Sequence, residues 1–428
     1  MDIIFLVAIA AVAIVLVLAA VLIIFSVKKR RRRLSLEESD STAQNGAIDA
    51  AFAGDELQTP ADAGQEIHAL EERLRGLGLR VSVKSALAGN AFTRYELLPD
   101  IGERASKVLD FESDIALALG SQNLFIQIPL PGKSTVGIDA PVQDPSSLSL
   151  GGVLSRLEKE EKRRMPGEFT IATGAGGQLI SSSIDRCAHV LIAGGLGTGK
   201  SMTLHSIAST MLSRSAKDDL RLIMIDIKGT ELSAYKGLEH LLMPVISDVR
   251  TASGALGLAE IEMNERYKKL AAMELQDIEQ YNKRAGEESA ASMPRIVIFA
   301  DDVNRMLGES GDSLARQRLF SLLEGGAKVG VHVVMTIPLP CSASLLDALC
   351  QSIPSRICLH APSLQSAMAV AGSDYATKLA PQGDMLLRLR ETGHLMHGRG
   401  IFVSQEGIGK LRAQMRDNPP AALKSLQP

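Results

Sequence analysis

The chain opens on an apolar stretch from Ile3 to Val27, broken only by Ser26. Wound as a helix, it would run roughly 37 Å, against about 30 Å of hydrocarbon core in a bilayer. Lys28-Lys29-Arg30-Arg31-Arg32-Arg33 follows at once. A cleaved secretion signal fits poorly: Met1-Asp2 carries no positive charge, and the basic cluster lies on the far side of the apolar run. Positive flanks stay in the cytoplasm. The pattern therefore predicts a single-pass anchor over residues 1–33, with residues 3–27 in the lipid bilayer and the N-terminus outside. The cations are placed to meet anionic headgroups. No later apolar run is long enough to repeat this.

From Leu34 to Gln65 the chain turns to Ser, Ala, Gly and acids, with seven acidic residues and no basic one. That composition predicts a flexible linker over residues 34–65. Helical spacing resumes at Glu66–Leu79, where Ile67, Leu70, Leu74 and Leu77 recur three and four apart. Alternation at Arg80–Lys84 and Phe92–Leu97 predicts half-buried strands. A helix over Lys107–Leu119, a strand at Leu124–Ile128, a turn at Pro131-Gly132-Lys133 and a strand at Val136–Ile138 complete a small α/β domain, residues 66–140. Nothing in it has catalytic spacing. Residues 141–166 read as a connection, helical over Leu154–Lys162.

The remaining pattern alternates short apolar runs with helical periods. Ala188–Ala193, Leu222–Asp226, Ile296–Asp302 and Val331–Thr336 read as buried strands; Met202–Leu212 and Ser313–Leu323 read as helices. Such alternation predicts a mainly parallel sheet wrapped on both faces over residues 167–410, followed by a tail, 411–428.

Between the first strand and its helix stands Gly194-Gly195-Leu196-Gly197-Thr198-Gly199-Lys200-Ser201, which fits G-x-x-x-x-G-K-[ST]. Glycines let successive backbone N–H groups turn toward one phosphate, and the positive end of the helix faces it. Lys200 would reach the β- and γ-phosphates of ATP, and Ser201 would ligate Mg²⁺. Such a loop needs an acidic partner. Of the two strands that end in aspartate, the second offers Asp301 and Asp302 side by side: Asp301 to hold Mg²⁺, Asp302 to position the attacking water. Asp226, beside Lys228, is either a neighbouring strand tip or a simple strand-ending cap. His332 and His189 lie on apolar strands and read as core residues.

Composition changes the picture in three places. The cysteines, Cys187, Cys341, Cys350 and Cys358, form no CxxC pair and read as reduced thiols. Aromatics are 4% and Trp is absent, which argues against stacking platforms for single-stranded nucleic acid. Six basic against eight acidic residues leave residues 1–65 at −2, and so residues 66–428 at −1 of the chain's −3. Any DNA contact must come from a local patch rather than bulk charge.

With these residues in place, the chain resembles the FtsK/SpoIIIE family from about Ile67 to Val403. Thr93-Arg94-Tyr95-Glu96 and Pro131-Gly132-Lys133 through Val136-Gly137-Ile138 resemble that family's α domain; Ala193–Ser201 resembles its P-loop. Met224-Ile225-Asp226-Ile227-Lys228 with Glu231-Leu232-Ser233, Tyr235 through His240-Leu241-Leu242, Glu262–Tyr267, Tyr281-Asn282, Ile353–Ile357 and Gly383–Leu386 follow in register. The resemblance implies an α domain before a RecA-like P-loop domain, ATP-driven movement of double-stranded DNA, a homo-hexameric ring, and the inner membrane of a bacterium. A hydrolysis-impaired scaffold and a secretion or conjugation motor are the alternatives.

The departures bear on that choice. Asp302 stands where the family has its catalytic Glu, Ile337 where it has a sensor Gln, and Ala327, beside Lys328, where it has an Arg that reaches the neighbouring subunit's nucleotide. Ile227 replaces a proline, and Ser363–Ala367 lacks an Asp and an Arg. Typical members carry several transmembrane helices where one is expected here. About 25 residues follow Val403, so the family's winged-helix module is not expected in them.

Overall fold

A computed structural model describes residues 63–121, 123–142, 145–159, 167–308 and 311–417. The expected anchor, nearly all of the linker and most of the tail lie outside the described residues. Among the described residues no helix is long and apolar enough to cross a membrane.

The first part of the described chain forms β1 (Val81–Ala88), β2 (Phe92–Pro99), β3 (Phe125–Gln127) and β4 (Val136–Pro141). They make an antiparallel sheet in the order β1-β2-β4-β3. The helix Ala63–Gly76 precedes it, and its buried Leu70 and Leu74 meet Val81, Leu97 and Ile138 in one core. The helix expected over Lys107–Leu119 is two, Lys107–Asp110 and Glu112–Ala118, because Phe111 leaves helical geometry at φ −106°, ψ 15° and packs its ring on that core. Ile138 is fully buried at the centre of the sheet, opposite Tyr95 on one side and Ile126 on the other. Ile138→Ala is expected to cost about 2–5 kcal/mol of stability, read as a lower urea midpoint at unchanged slope.

The second sheet has nine strands. They are β5 (Glu168–Thr173), β6 (Leu179–Ser183), β7 (Val190–Gly194), β8 (Leu220–Asp226), β9 (Arg295–Asp301), β10 (Val331–Pro338), β11 (Ser355–Leu359), β12 (Asp384–Arg388) and β13 (Leu395–Gly400). Their order is β6-β5-β13-β12-β11-β7-β10-β9-β8. From β11 to β8 every pairing is parallel; from β11 to β6 every pairing is antiparallel. The expectation of a mainly parallel sheet is thus corrected: the sheet is mixed. The physical reason is local. β5–β6 and β12–β13 are joined by connections too short for a crossover helix, so each pair returns antiparallel.

The parallel strands are buried along nearly their whole length, as strands covered on both faces must be. Alternate residues serve opposite cores. Leu191, Ile223, Ile298 and Val333 join the helices Val249–Ala272, Ser313–Gly325 and Ala343–Ser352. Ile192, Met224, Phe299 and Val334 join the helices Lys200–Arg214, Leu150–Lys159 and Gln405–Asp417. The last helix carries Leu411 and Met415 into the core, so ordered structure continues to Asp417. His332 is buried within β10 and His189 is buried just before β7, and all four cysteines are free thiols.

Candidate nucleotide site

β7 ends at Gly194, and the helix Lys200–Arg214 starts six residues later. The turn between them requires glycine twice, since Gly197 and Gly199 have φ of 72° and 111°. A side chain on Gly199 would also meet the backbone of Gly383 at 3.2 Å. The loop is braced from two neighbours: Gly195 N donates to His360 O at 2.8 Å, and Gly383 N donates to Thr198 O at 2.9 Å. Inside it, Thr198 Oγ1 donates to Gly195 O at 2.9 Å. Lys200 Nζ folds back onto the carbonyls of Gly194 and Gly195 at 3.0 and 2.6 Å. Burial draws its pKa down, and the nearby carboxylates of Asp301 and Asp302 oppose this. Leu196 is fully exposed on the loop.

Asp301 ends β9, separated from β7 by β10 alone. Thr336, on β10, donates its hydroxyl to Asp301 Oδ1 at 2.7 Å and accepts Asp302 N at 2.8 Å. Burial pushes the Asp301 pKa up; Thr336 works against that, and Asp226 and Glu231 add to it. Such a carboxylate is short of positive charge. Asp302 sits just past the strand in left-handed backbone, φ 50°, which Asp tolerates better than most residues. Its Oδ2 is 2.7 Å from Lys228 Nζ and 3.4 Å from Arg305 Nε.

The residues assigned from sequence, Gly194 to Ser201 with Asp301 and Asp302, therefore sit at the carboxyl edge of the parallel sheet, on strands one apart, where open α/β sheets bind ligands. Ser201 on the helix and Asp301 on β9 offer a hydroxyl and one carboxylate. That donor set fits Mg²⁺, which takes few protein ligands and fills its shell with phosphate and water. Asp226 is a cap: its carboxylate accepts from Gly229 N, Glu231 N and Leu232 N at 2.8–2.9 Å. Ile337 is buried opposite Ala193 of β7. Ala327 and exposed Lys328 lie on the turn Gly326–Val329.

Sequence reasoning missed Thr336, which ties both aspartates together; only its place at a strand end in phase with the acidic strand signalled it. Thr336→Val would leave a buried carboxylate oxygen and a buried amide without their partner. The expected loss is about 1–3 kcal/mol, read as a lower thermal midpoint. It also missed a buried charge chain at the small sheet. Arg94 pairs with Asp139, and His397 stands between Asp139 and Asp384.

A strand, a glycine loop gripping its own lysine, a helix and a buried carboxylate at the end of a nearby parallel strand define a P-loop NTPase-like fold. The chain belongs to the FtsK/SpoIIIE family: the family model matches residues 153–398, and that of the FtsK alpha domain matches residues 50–142. It is 30% identical over 351 residues to the DNA translocase SpoIIIE of Bacillus subtilis (strain 168), covering 80% of this chain and 44% of that protein. The chain spans less than half the length of the curated relatives it matches. Among solved structures it resembles the monomer form of the pCW3 conjugation coupling protein TcpA with ATPγS, with TM-score 0.54 and 18% identity over 81% of this chain and 99% of that one. It also resembles the cytoplasmic domain of the type VII secretion ATPase EccC of Thermomonospora curvata, with TM-score 0.55 and 19% identity over 66% of this chain and 36% of that one. At these identities the structures speak for the fold alone.

Proposed function

We propose that the chain is an ATP-driven motor that moves double-stranded DNA through a homo-hexameric ring, held at the inner face of a bacterial membrane by residues 3–27. The observation that carries the motor reading is the convergence of Lys200, Asp301 and Asp302, with Thr336 bonded to the Asp301 carboxylate and to the backbone N–H of Asp302. Family membership supports DNA as the substrate, and the long apolar run followed by six cations supports the anchor.

Lys200 leaves its own loop carbonyls to meet the β- and γ-phosphates of ATP. Ser201 and Asp301 would hold Mg²⁺, which when bound offsets phosphate charge. Thr336 keeps Asp301 fixed while Asp302 orients the attacking water. The loop amides and the start of the helix face the phosphates, so most of the catalytic effect is positioning and charge.

A second reading has two specific observations behind it. Asp302 is held by Lys228 and Arg305, and buried Ile337 supplies no hydrogen bond where the family has Gln. A chain built this way would bind ATP and hydrolyse it slowly, serving assembly rather than movement. The ATPase rate of the full chain, with and without duplex DNA, separates the two. Stimulation by duplex supports the motor; ATP binding with turnover indifferent to DNA supports the assembly role.

A further inference from the structure

We propose that His397 is a positioning residue for the nucleotide loop, gripping Asp139 of the small sheet on one side and Asp384 beside the loop on the other, so that ATP binding and the seating of the small sheet are coupled. The proposal rests on the reading of Gly194–Ser201 as an ATP site.

The ring of His397, on β13, is buried and packed by three aromatic side chains. Phe92 of β2 stacks on it at 4.3 Å and 15°, Phe125 of β3 tilts against it at 5.2 Å, and Tyr375 meets it edge-on at 5.7 Å. Its Nδ1 is 3.1 Å from Asp139 Oδ2 and its Nε2 is 2.8 Å from Asp384 Oδ1. A neutral imidazole has one N–H, so its second nitrogen would turn a lone pair toward a carboxylate oxygen. The geometry therefore fits the doubly protonated ring, donating at both ends. The balance of forces agrees: burial pulls the imidazole pKa down, but Asp384 and Asp139 outweigh it and push it up to about 9.

The charges form a row of alternating sign. Arg94 of β2 binds Asp139 of β4 with Nη2 2.7 Å from Oδ2; His397 follows, then Asp384. Each buried carboxylate has a cation, and removing one charge leaves its neighbour uncompensated.

The far end of the row reaches the loop. Asp384 opens β12 and its Oδ2 accepts Ala380 N at 2.9 Å. The preceding residue, Gly383, donates its N–H to Thr198 O at 2.9 Å and accepts Gly400 N at 2.7 Å. Gly383 also lies against Gly199, where a Cβ would come within 3.2 Å of its backbone. A displacement of Asp384 is thus felt in the loop that holds phosphate. The same ring touches three strands of the small sheet, through Phe92, Phe125 and Asp139. By reciprocity, whatever His397 contributes to ATP binding, ATP must return to the seating of that sheet.

The test uses the full chain and Mg·ATP. Amide exchange at residues 92–97 and 136–140 should slow several-fold at saturating ATP, and more than in β1, which is remote from the ring. Lys200→Ala should show no such response, and His397→Gln at saturating ATP should lose the extra protection while keeping the nucleotide. Asp139→Asn, which keeps the side-chain shape, should weaken ATP about tenfold by titration calorimetry. If that variant fails to fold, exchange in the unaltered chain still decides. ATP that binds without selectively slowing β2 and β4 overturns the coupling. Failure of the unaltered chain to bind ATP overturns the reading of the loop itself, and the inference with it.

Discussion

Lys200→Ala is expected to lower ATP turnover by about 10²–10³-fold and to weaken ATP binding, with the fold intact. The side chain's bonds are confined to the loop it belongs to, at Gly194 O and Gly195 O. Its loss removes no core packing, and the free energy of unfolding should change by less than about 1 kcal/mol. What disappears is the mobile cation of the cleft. Lys228 cannot replace it, because that ammonium is engaged by Asp302 at 2.7 Å. Alanine would leave the Asp301 carboxylate facing the γ-phosphate without the Lys200 cation, while Asp302 keeps Lys228 and Arg305. Lys200→Arg offers a contrast: it keeps the charge but carries a planar fork too large for the glycine loop, and should rescue little. The measurement is steady-state ATPase on the full chain, with ATP affinity alongside. Turnover that survives Lys200→Ala would place the chemistry elsewhere.

The phosphate loop was legible because its chemistry is local. Eight consecutive residues specify the turn, the cation and the hydroxyl, and the flanking strand and helix follow from apolar pattern alone. Strands β7 to β10 were legible for a related reason. Burial on both faces makes them apolar runs, and Gly194, Asp226 and Asp301 mark their ends. The antiparallel half of the large sheet was not. β6 reads Leu-Ile-Ser-Ser-Ser and β13 reads Leu-Met-His-Gly-Arg-Gly; hydroxyl hydrogen bonds in the first and buried ion pairs in the second stand in for hydrophobic pattern. Ser182 and Ser183 are buried polar residues, as are His397 and Arg399. The chain from Arg94 to Asp384 shows the same limit more sharply. Its four members lie on four strands of two sheets, and no spacing along the sequence brings them together. Asp226 was ambiguous for a subtler reason: a strand-ending carboxylate that caps a loop and one that holds a metal look alike until their donors are seen.

Asp302→Glu is the substitution expected to raise activity, by a factor on the order of 10 to 10² in turnover, with little change in KM for ATP. The backbone at 302 is fixed independently of the side chain, since its N–H is bonded to Thr336 Oγ1 at 2.8 Å. Only the reach of the carboxylate changes. One methylene advances it by about 1 Å, and a misplacement of that size can cost about 10²-fold in rate. In the native chain the shorter carboxylate is drawn toward Lys228 and Arg305, away from the role of aligning water. A glutamate can keep Lys228 and still extend into the cleft. An interaction made only as water attacks alters kcat, whereas ATP is held by the loop and Lys200, so KM should stay within about twofold. Duplex-stimulated turnover measured beside the unaltered chain decides the matter. A rise means the native Asp damps an otherwise competent motor, and the slow-hydrolysis reading gains weight. A fall means the Lys228–Asp302–Arg305 cluster is itself the working arrangement; in that case Arg305→Ala should lower turnover in the unaltered background, because it removes one of the two cations that hold Asp302 in place.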